Sequence, residues 1–134
     1  MQETSLNEGG ALNSFGQNFD FEGNDINTSI KSSYSMLGTS LDKLIEESII
    51  KPPKYMKIDV DGAEHLILKG AQKLLANNEL KSVLVEVNEN FKVQAKEIIE
   101  IMKKYGFKLK EKKQVEENVI GGVFEKSYNY IYFR

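Results

Sequence analysis

The stretch "KYMKIDVDGAEHLILKGAQKLL", residues 54 to 75, constrains the fold more than any other. Met56, Ile58 and Val60 alternate with Tyr55, Lys57 and Asp59, which predicts a strand of about six residues. Ala63, Leu66, Ile67, Gly70, Ala71, Leu74 and Leu75 then recur at helical spacing, which predicts one amphipathic helix whose small residues let it lie close to a sheet. A strand passing directly into such a helix is the start of a right-handed crossover, so the chain is expected to build an α/β layer structure around a parallel sheet.

The flanking sequence extends this pattern. "SVLVEVN" (residues 82 to 88) is a valine-rich strand of the kind covered on both faces. Phe91, Ala95, Ile98, Ile99 and Met102 share the buried face of a further helix, and Gly106 stands at its C-cap. "FKLKEKK" and "SYNYIYFR" alternate as strands; joined by the polar "QVEENVIGG", they can pair antiparallel at the sheet edge. The lysines of the first read as a solvated strand, and the tyrosines of the second as cover for a core edge. Upstream, "GTSLDKLIEESII" predicts a short helix with Thr39 and Asp42 at capping-box spacing and Leu41, Leu44, Ile45 and Ile49 on one face, ended by Pro52 and Pro53. Residues 1 to 38, rich in Asn, Ser and Gly, show no sustained period and read as loop, with Phe15 to Phe21 as an apolar stretch that can dock. The division is therefore a loop-rich segment, 1 to 38, and an α/β domain, 39 to 134.

Composition removes whole classes of function. The chain has 134 residues, the size of one domain, with no cysteine and a single histidine, so thiolate chemistry and multi-histidine metal sites are excluded. A net charge of -2 without a long basic run argues against nucleic acid as a partner. No apolar run approaches the roughly 20 residues of a membrane span, and the N-terminus has no signal-like segment, so a cytoplasmic location is expected.

What remains is acidic chemistry at the strand ends. Asp61 precedes Glu64 by three residues, so an N-cap with reciprocal bonds accounts for it, while Gly62 permits a tight turn or the close approach of a ligand. Asp59 lies where a parallel strand stops, the place where open sheets bind ligands. Lys57, on the same strand face, offers it an ion-pair partner. Glu86 interrupts an apolar run on the neighbouring strand and needs a partner, solvent or a ligand. Asp59, Glu86 and Asn88 can meet in one crevice; as an oxygen set they suit magnesium or calcium better than zinc, but spacing does not establish convergence, and no metal site is assigned. "DVDG" is no calcium loop, because Glu64 and Gly70 occupy the sixth and twelfth positions. His65 sits among Lys69, Gln72 and Lys73 and reads as a solvated surface residue.

"SLDKLIEE", "YMKIDVDGAEHLILKGAQKLL", "VLVEVN" and "YNYIYF", in that order, resemble the C-terminal part of the FkbM-type methyltransferases, over residues 40 to 133, with the loop from Gly9 onward a candidate extension of the match. The resemblance implies the later half of a Rossmann-like class I methyltransferase sheet, with parallel strands and a terminal antiparallel hairpin. It implies S-adenosylmethionine as cofactor and a small hydroxylated or sugar-like acceptor methylated on oxygen. Asp59 and Glu86 would then be catalytic, Asp61 would face the cofactor and Asn88 the acceptor. The family's early strand, glycine-rich turn and ribose-binding acid have no counterpart here; Gly9-Gly10 and Gly121-Gly122 lack strand-to-helix context. The expectation is accordingly a partial domain, completed by a missing N-terminal half or a homo-oligomer. The competing reading is a non-catalytic α/β interaction module that uses an open sheet edge.

Overall fold

The computed structural model describes residues 1 to 3, 14 to 27, 30 to 114 and 125 to 134. Ten elements follow in order: β1 Gln2–Glu3, β2 Ser32–Ser33, α1 Leu41–Glu46, β3 Tyr55–Ile58, α2 Glu64–Lys69, α3 Gln72–Ala76, β4 Ser82–Asn88, α4 Lys92–Lys104, β5 Lys108–Gln114 and β6 Ser127–Phe133. β1 and β2 form a small antiparallel pair, and the other four strands form one mixed sheet in the order β3-β4-β6-β5. β3 runs parallel to β4, with Tyr55 opposite Ser82 and Ile58 opposite Val85, while β6 runs antiparallel to both β4 and β5. No helix among the described residues is long and apolar enough to cross a membrane.

One face of the sheet makes the core. Ile58, Val83, Val85, Val87, Tyr130 and Tyr132 pack against Leu68, Leu74 and Leu75 and against Ile98 and Met102 of α4, all of them buried. The alternation of β4 therefore matters: the three valines of one face are fully covered, whereas Leu84 and Glu86 on the other are only half-buried, so the expectation of a strand covered on both faces is corrected. The tyrosines of β6 do enter the core, and β5 is exposed along its whole length. Of the "QVEENVIGG" connection Gln114 is the last residue of β5; its other residues and both glycine pairs lie outside the described residues.

Several local expectations change for identifiable reasons. The N-cap of α1 is Ser40, whose Oγ accepts from the Lys43 amide at 3.2 Å. Asp42 caps a different helix, accepting from the amides of Lys73 at 2.9 Å and Leu74 at 3.0 Å at the start of α3. Ile49 lies beyond the helix and is exposed. The stripe from Ala63 to Leu75 is broken into α2 and α3 at Gly70, whose carbonyl is taken by the Asp42 amide at 3.1 Å. A Cβ at Gly70 would stand 3.1 Å from the Ser40 side chain, so glycine also lets α1 cross close to this break. In α4 the buried face carries Gln94 with Ile98 and Met102, while Ile99 is exposed. The helix ends as its sequence implies: Gly106 has φ +79°, its amide meets the Lys103 carbonyl, and the Phe107 amide meets that of Met102.

Residues 14 to 27 have little regular structure yet are anchored. Ser14, Gln17 and Ile26 are buried, and Asp20 organises a turn by accepting from the amides of Glu22 and Asn24, both at 2.9 Å. Phe19 lies against Phe91 and His65, with ring centroids 5.3 and 6.1 Å away. The apolar stretch thus docks on the domain, next to the turn that follows β3.

Candidate active site

β3 ends at Ile58, two residues earlier than its apolar alternation suggests, and residues 59 to 63 turn into α2. Gly62 has φ +99°, a left-handed conformation that glycine adopts without strain. Its open side is occupied by the N-terminal loop, because a Cβ there would lie 2.9 Å from Cα of Phe21 and 3.1 Å from the Asp20 carbonyl oxygen. The N-cap of α2 is Ala63, without a side-chain bond, so Asp61 is not the expected cap. Glu64 does not bond the Asp61 amide as that cap would require; its Oε1 accepts instead from the Val60 amide at 3.1 Å.

Asp59 and Lys57 form an ion pair at 2.7 Å, as their shared strand face predicts. Asp59 also shares a hydrogen bond with Glu86 on the parallel neighbour β4. The two carboxyls respond in opposite ways. The Lys57 ammonium holds Asp59 below the usual carboxylate range, whereas burial, and then the bond to Asp59 and its charge, push Glu86 up to about 7. Near neutral pH the pair therefore carries one proton about half the time, donated from Glu86 to the Asp59 carboxylate.

Glu86 and Asn88 do share a hollow, of about 10 Å³, with Asp61, Glu64, Gln94 and Phe21. That volume suits a single water. Asn88 is buried, and its Nδ2 donates to the Phe21 carbonyl at 3.2 Å, so the N-terminal loop closes this hollow. Asp59 is linked to the hollow only through Glu86. It opens instead, with Asp61, onto a cavity of about 400 Å³ walled by Phe15, Val60 and Ala63, a size typical of small-molecule sites. Among the described residues no group of three acidic or histidine side chains could hold a metal ion.

Two features escape the sequence reading. Glu64 is almost fully buried, and burial pushes its carboxyl up to about 7; Gln94 Nε2 donates to its Oε2, while Gln94 Oε1 is buried without a partner. A glutamine four residues before Ile98, on the face that α4 buries, is the signal that points to such a polar contact. The second is His65, which is buried at 6 % exposure rather than solvated. Its ring lies tilted against Phe19 and edge-on to Phe91, and burial lowers its pKa despite the Glu97 carboxylate 3.8 Å from Nε2. The docked N-terminal loop supplies much of this cover, and helical periodicity within α2 carries no record of it.

The mixed α/β domain that carries these acidic residues falls in a recognised class. The profile of the methyltransferase FkbM domain matches residues 5 to 109. The chain belongs to that family, and the match reaches well upstream of residue 40, taking in the loop that closes the site. Comparisons with curated proteins and with solved structures found no match.

Proposed function

We propose that this domain transfers a methyl group from S-adenosylmethionine to a hydroxyl oxygen of a small, hydroxylated or sugar-like acceptor, with Asp59 and Glu86 receiving the hydroxyl proton. The observation that carries this reading is the pair itself: two carboxyls from adjacent parallel strands, hydrogen-bonded at the strand ends, with one held ionised by Lys57 and the other poised near neutrality. Divergent environments for two neighbouring acids are how a site assigns proton-transfer roles.

Asp61 offers a carboxylate suited to the cofactor's ammonium, and Phe15, Val60 and Ala63 supply apolar walls in the same cavity; the ribose-binding acid and glycine-rich turn of the family have no counterpart among the residues present. When bound, the cofactor supplies the methyl group, its S–C bond breaking as the O–C bond forms. Asp59 accepts the acceptor's hydroxyl proton and shares it with Glu86, whose affinity near pH 7 suits a general base at that pH. Asn88, which donates to the Phe21 carbonyl beside Glu86, is the residue assigned to the acceptor. The rest of the acceleration comes from holding donor and acceptor in line.

Incubation with methyl-labelled S-adenosylmethionine and a panel of small polyols and sugars tests the reading. Label is expected in an ether linkage, and Asp59→Asn combined with Glu86→Gln should lower turnover by roughly 10²-fold or more. Turnover unaffected by both substitutions would remove the assignment. A second reading, a non-catalytic interaction module, is favoured by the outer edge of β3, which has no strand partner among the described residues.

A further inference from the structure

The hollow beneath Phe21 encloses acids without a cation. Asp61, Glu64 and Glu86 line it with Asn88, Gln94 and Ser127, and among the described residues no lysine or arginine does. Each element packed around Glu86 brings the same kind of neighbour. β3 sets Asp59 beside it, with the Lys57 ammonium already bonded to Asp59; α2 brings Glu64, the turn before α2 brings Asp61, and α4 brings Gln94. On β6 the residues opposite Glu86 and Asn88 are Asn129 and Ser127, neither of them charged. Buried carboxyls gathered in this way stay enclosed by holding protons.

Glu64 and Gln94 are placed to manage such a proton, and both are almost fully buried. Gln94 Nε2 stands 2.5 Å from Glu64 Oε2, while Oε1 of the same amide is buried without a partner. The amide has one orientation for each state of the acid. An ionised Glu64 takes the NH₂, and a neutral Glu64 donates its hydroxyl to the carbonyl. In both, the end of the amide turned from Glu64 needs another partner. Asn88 is not that partner, since its Nδ2 donates to the Phe21 carbonyl and its Oδ1 accepts from the Asn90 amide at 2.9 Å. The hollow of about 10 Å³ has room for one water, and its walls offer that water Gln94, Glu64 and Glu86 as polar contacts.

We propose that one water, fixed in this hollow by Gln94, links Glu86 to Glu64, and that Glu64 is the proton reservoir behind the Asp59–Glu86 pair. The use of this link in catalysis rests on the methyl-transfer reading; its existence does not. When Asp59 takes the hydroxyl proton, the pair holds one proton more than before. Glu86 then passes its proton to the water as the water passes one of its own to ionised Glu64. One O–H bond breaks and one forms at each transfer, and the water is regenerated. Gln94 turns its carbonyl to the new Glu64 hydroxyl. Burial pushes both glutamates up to about 7, so the proton moves between groups of similar affinity. Glu64 touches neither donor nor acceptor and acts through Glu86, as a positioning residue.

Two measurements test this without any methyl acceptor. A high-resolution crystal structure of the chain should show one water within hydrogen-bond distance of Gln94, Glu64 and Glu86, and Gln94→Met, which keeps every charge, should lose it. A dry hollow, a metal ion in it, or a water that persists unmoved in Gln94→Met would overturn the proposal. In a ¹³C titration of the unsubstituted protein, the Glu64 and Glu86 carboxyl resonances should each respond to the other's ionisation, giving broadened or two-step curves. In Glu64→Gln the Glu86 curve should become simpler, and its midpoint should fall by roughly half a pH unit or more, about threefold in proton affinity. Independent single-step curves, or a Glu86 midpoint unmoved by Glu64→Gln, would overturn the proposal even where methyl transfer is observed. Absence of methyl transfer with both the water and the coupling present would count against the proposed reaction and leave the linked acids standing.

Discussion

Replacing Glu64 by glutamine should make the protein more stable at alkaline pH and leave it nearly unchanged in mild acid. Glu64 is 2 % exposed, and burial raises its carboxyl from an ordinary 4.5 to about 7. The folded group keeps its proton above the pH at which the unfolded chain releases it. Its stabilising contribution is therefore complete below about 4.5 and is lost as pH rises through about 7. At about 1.4 kcal/mol per pH unit the displacement corresponds to roughly 3 kcal/mol at pH 8. For a chain of 134 residues this is a Tm difference of about 10 °C. Glutamine keeps an oxygen for the Val60 amide, and its NH₂ can donate to Gln94 Oε1 once that amide is turned, which satisfies an atom now buried without a partner. Urea denaturation of both proteins between about pH 5 and pH 8 measures the effect. Stability of the parent should fall with pH, and Glu64→Gln should fall less steeply, because one of the two buried carboxyls raised to about 7 is removed. Glu86, and the opposite slope of His65, whose pKa burial lowers, are common to both proteins. Parallel pH profiles, or a glutamine variant less stable than its parent at pH 8, would refute the reasoning.

Three further outcomes are expected. Gly62→Ala should cost about 1–3 kcal/mol, because φ +99° is strained for alanine and the new methyl meets Phe21; thermal melting reads the loss, and protease should cut residues 14 to 27 sooner. Asp42→Ala should cost about 0.5–2 kcal/mol through the two amides it caps on α3, seen as a lower urea midpoint with unchanged slope. Methyl transfer should rise with pH through about 7 in kcat/KM, because Glu86 must shed its proton to act as base, and Glu86→Gln should flatten that rise.

Much of the framework was legible from spacing alone. The strand at β3, the valine strand β4, the helix α4 with its Gly106 terminus and the tyrosine strand β6 all follow from periods of 2 and 3.6 and from one left-handed glycine. Asp59 and Glu86 were legible as a pair because both fall near the ends of strands that the pattern sets side by side. What the pattern did not contain were contacts made across the chain. Gly70 breaks a helix because α1 crosses it and takes its carbonyl, and Asp42 serves α3 rather than its own helix for the same reason. His65 looks exposed within α2 because its cover comes from Phe19 and Phe91, far away in sequence. Phe21 over Gly62 belongs to a segment without periodicity, so neither its docking nor the closure of the hollow beneath it is written in local spacing.

The shared proton of Asp59 and Glu86 is measured most directly by following their side-chain ¹³C carboxyl resonances through a pH titration. Glu86 should move with a midpoint at about 7, and Asp59 should complete its main transition below the usual carboxylate range. Both resonances titrating together near 4, as independent carboxyls do, would contradict the account.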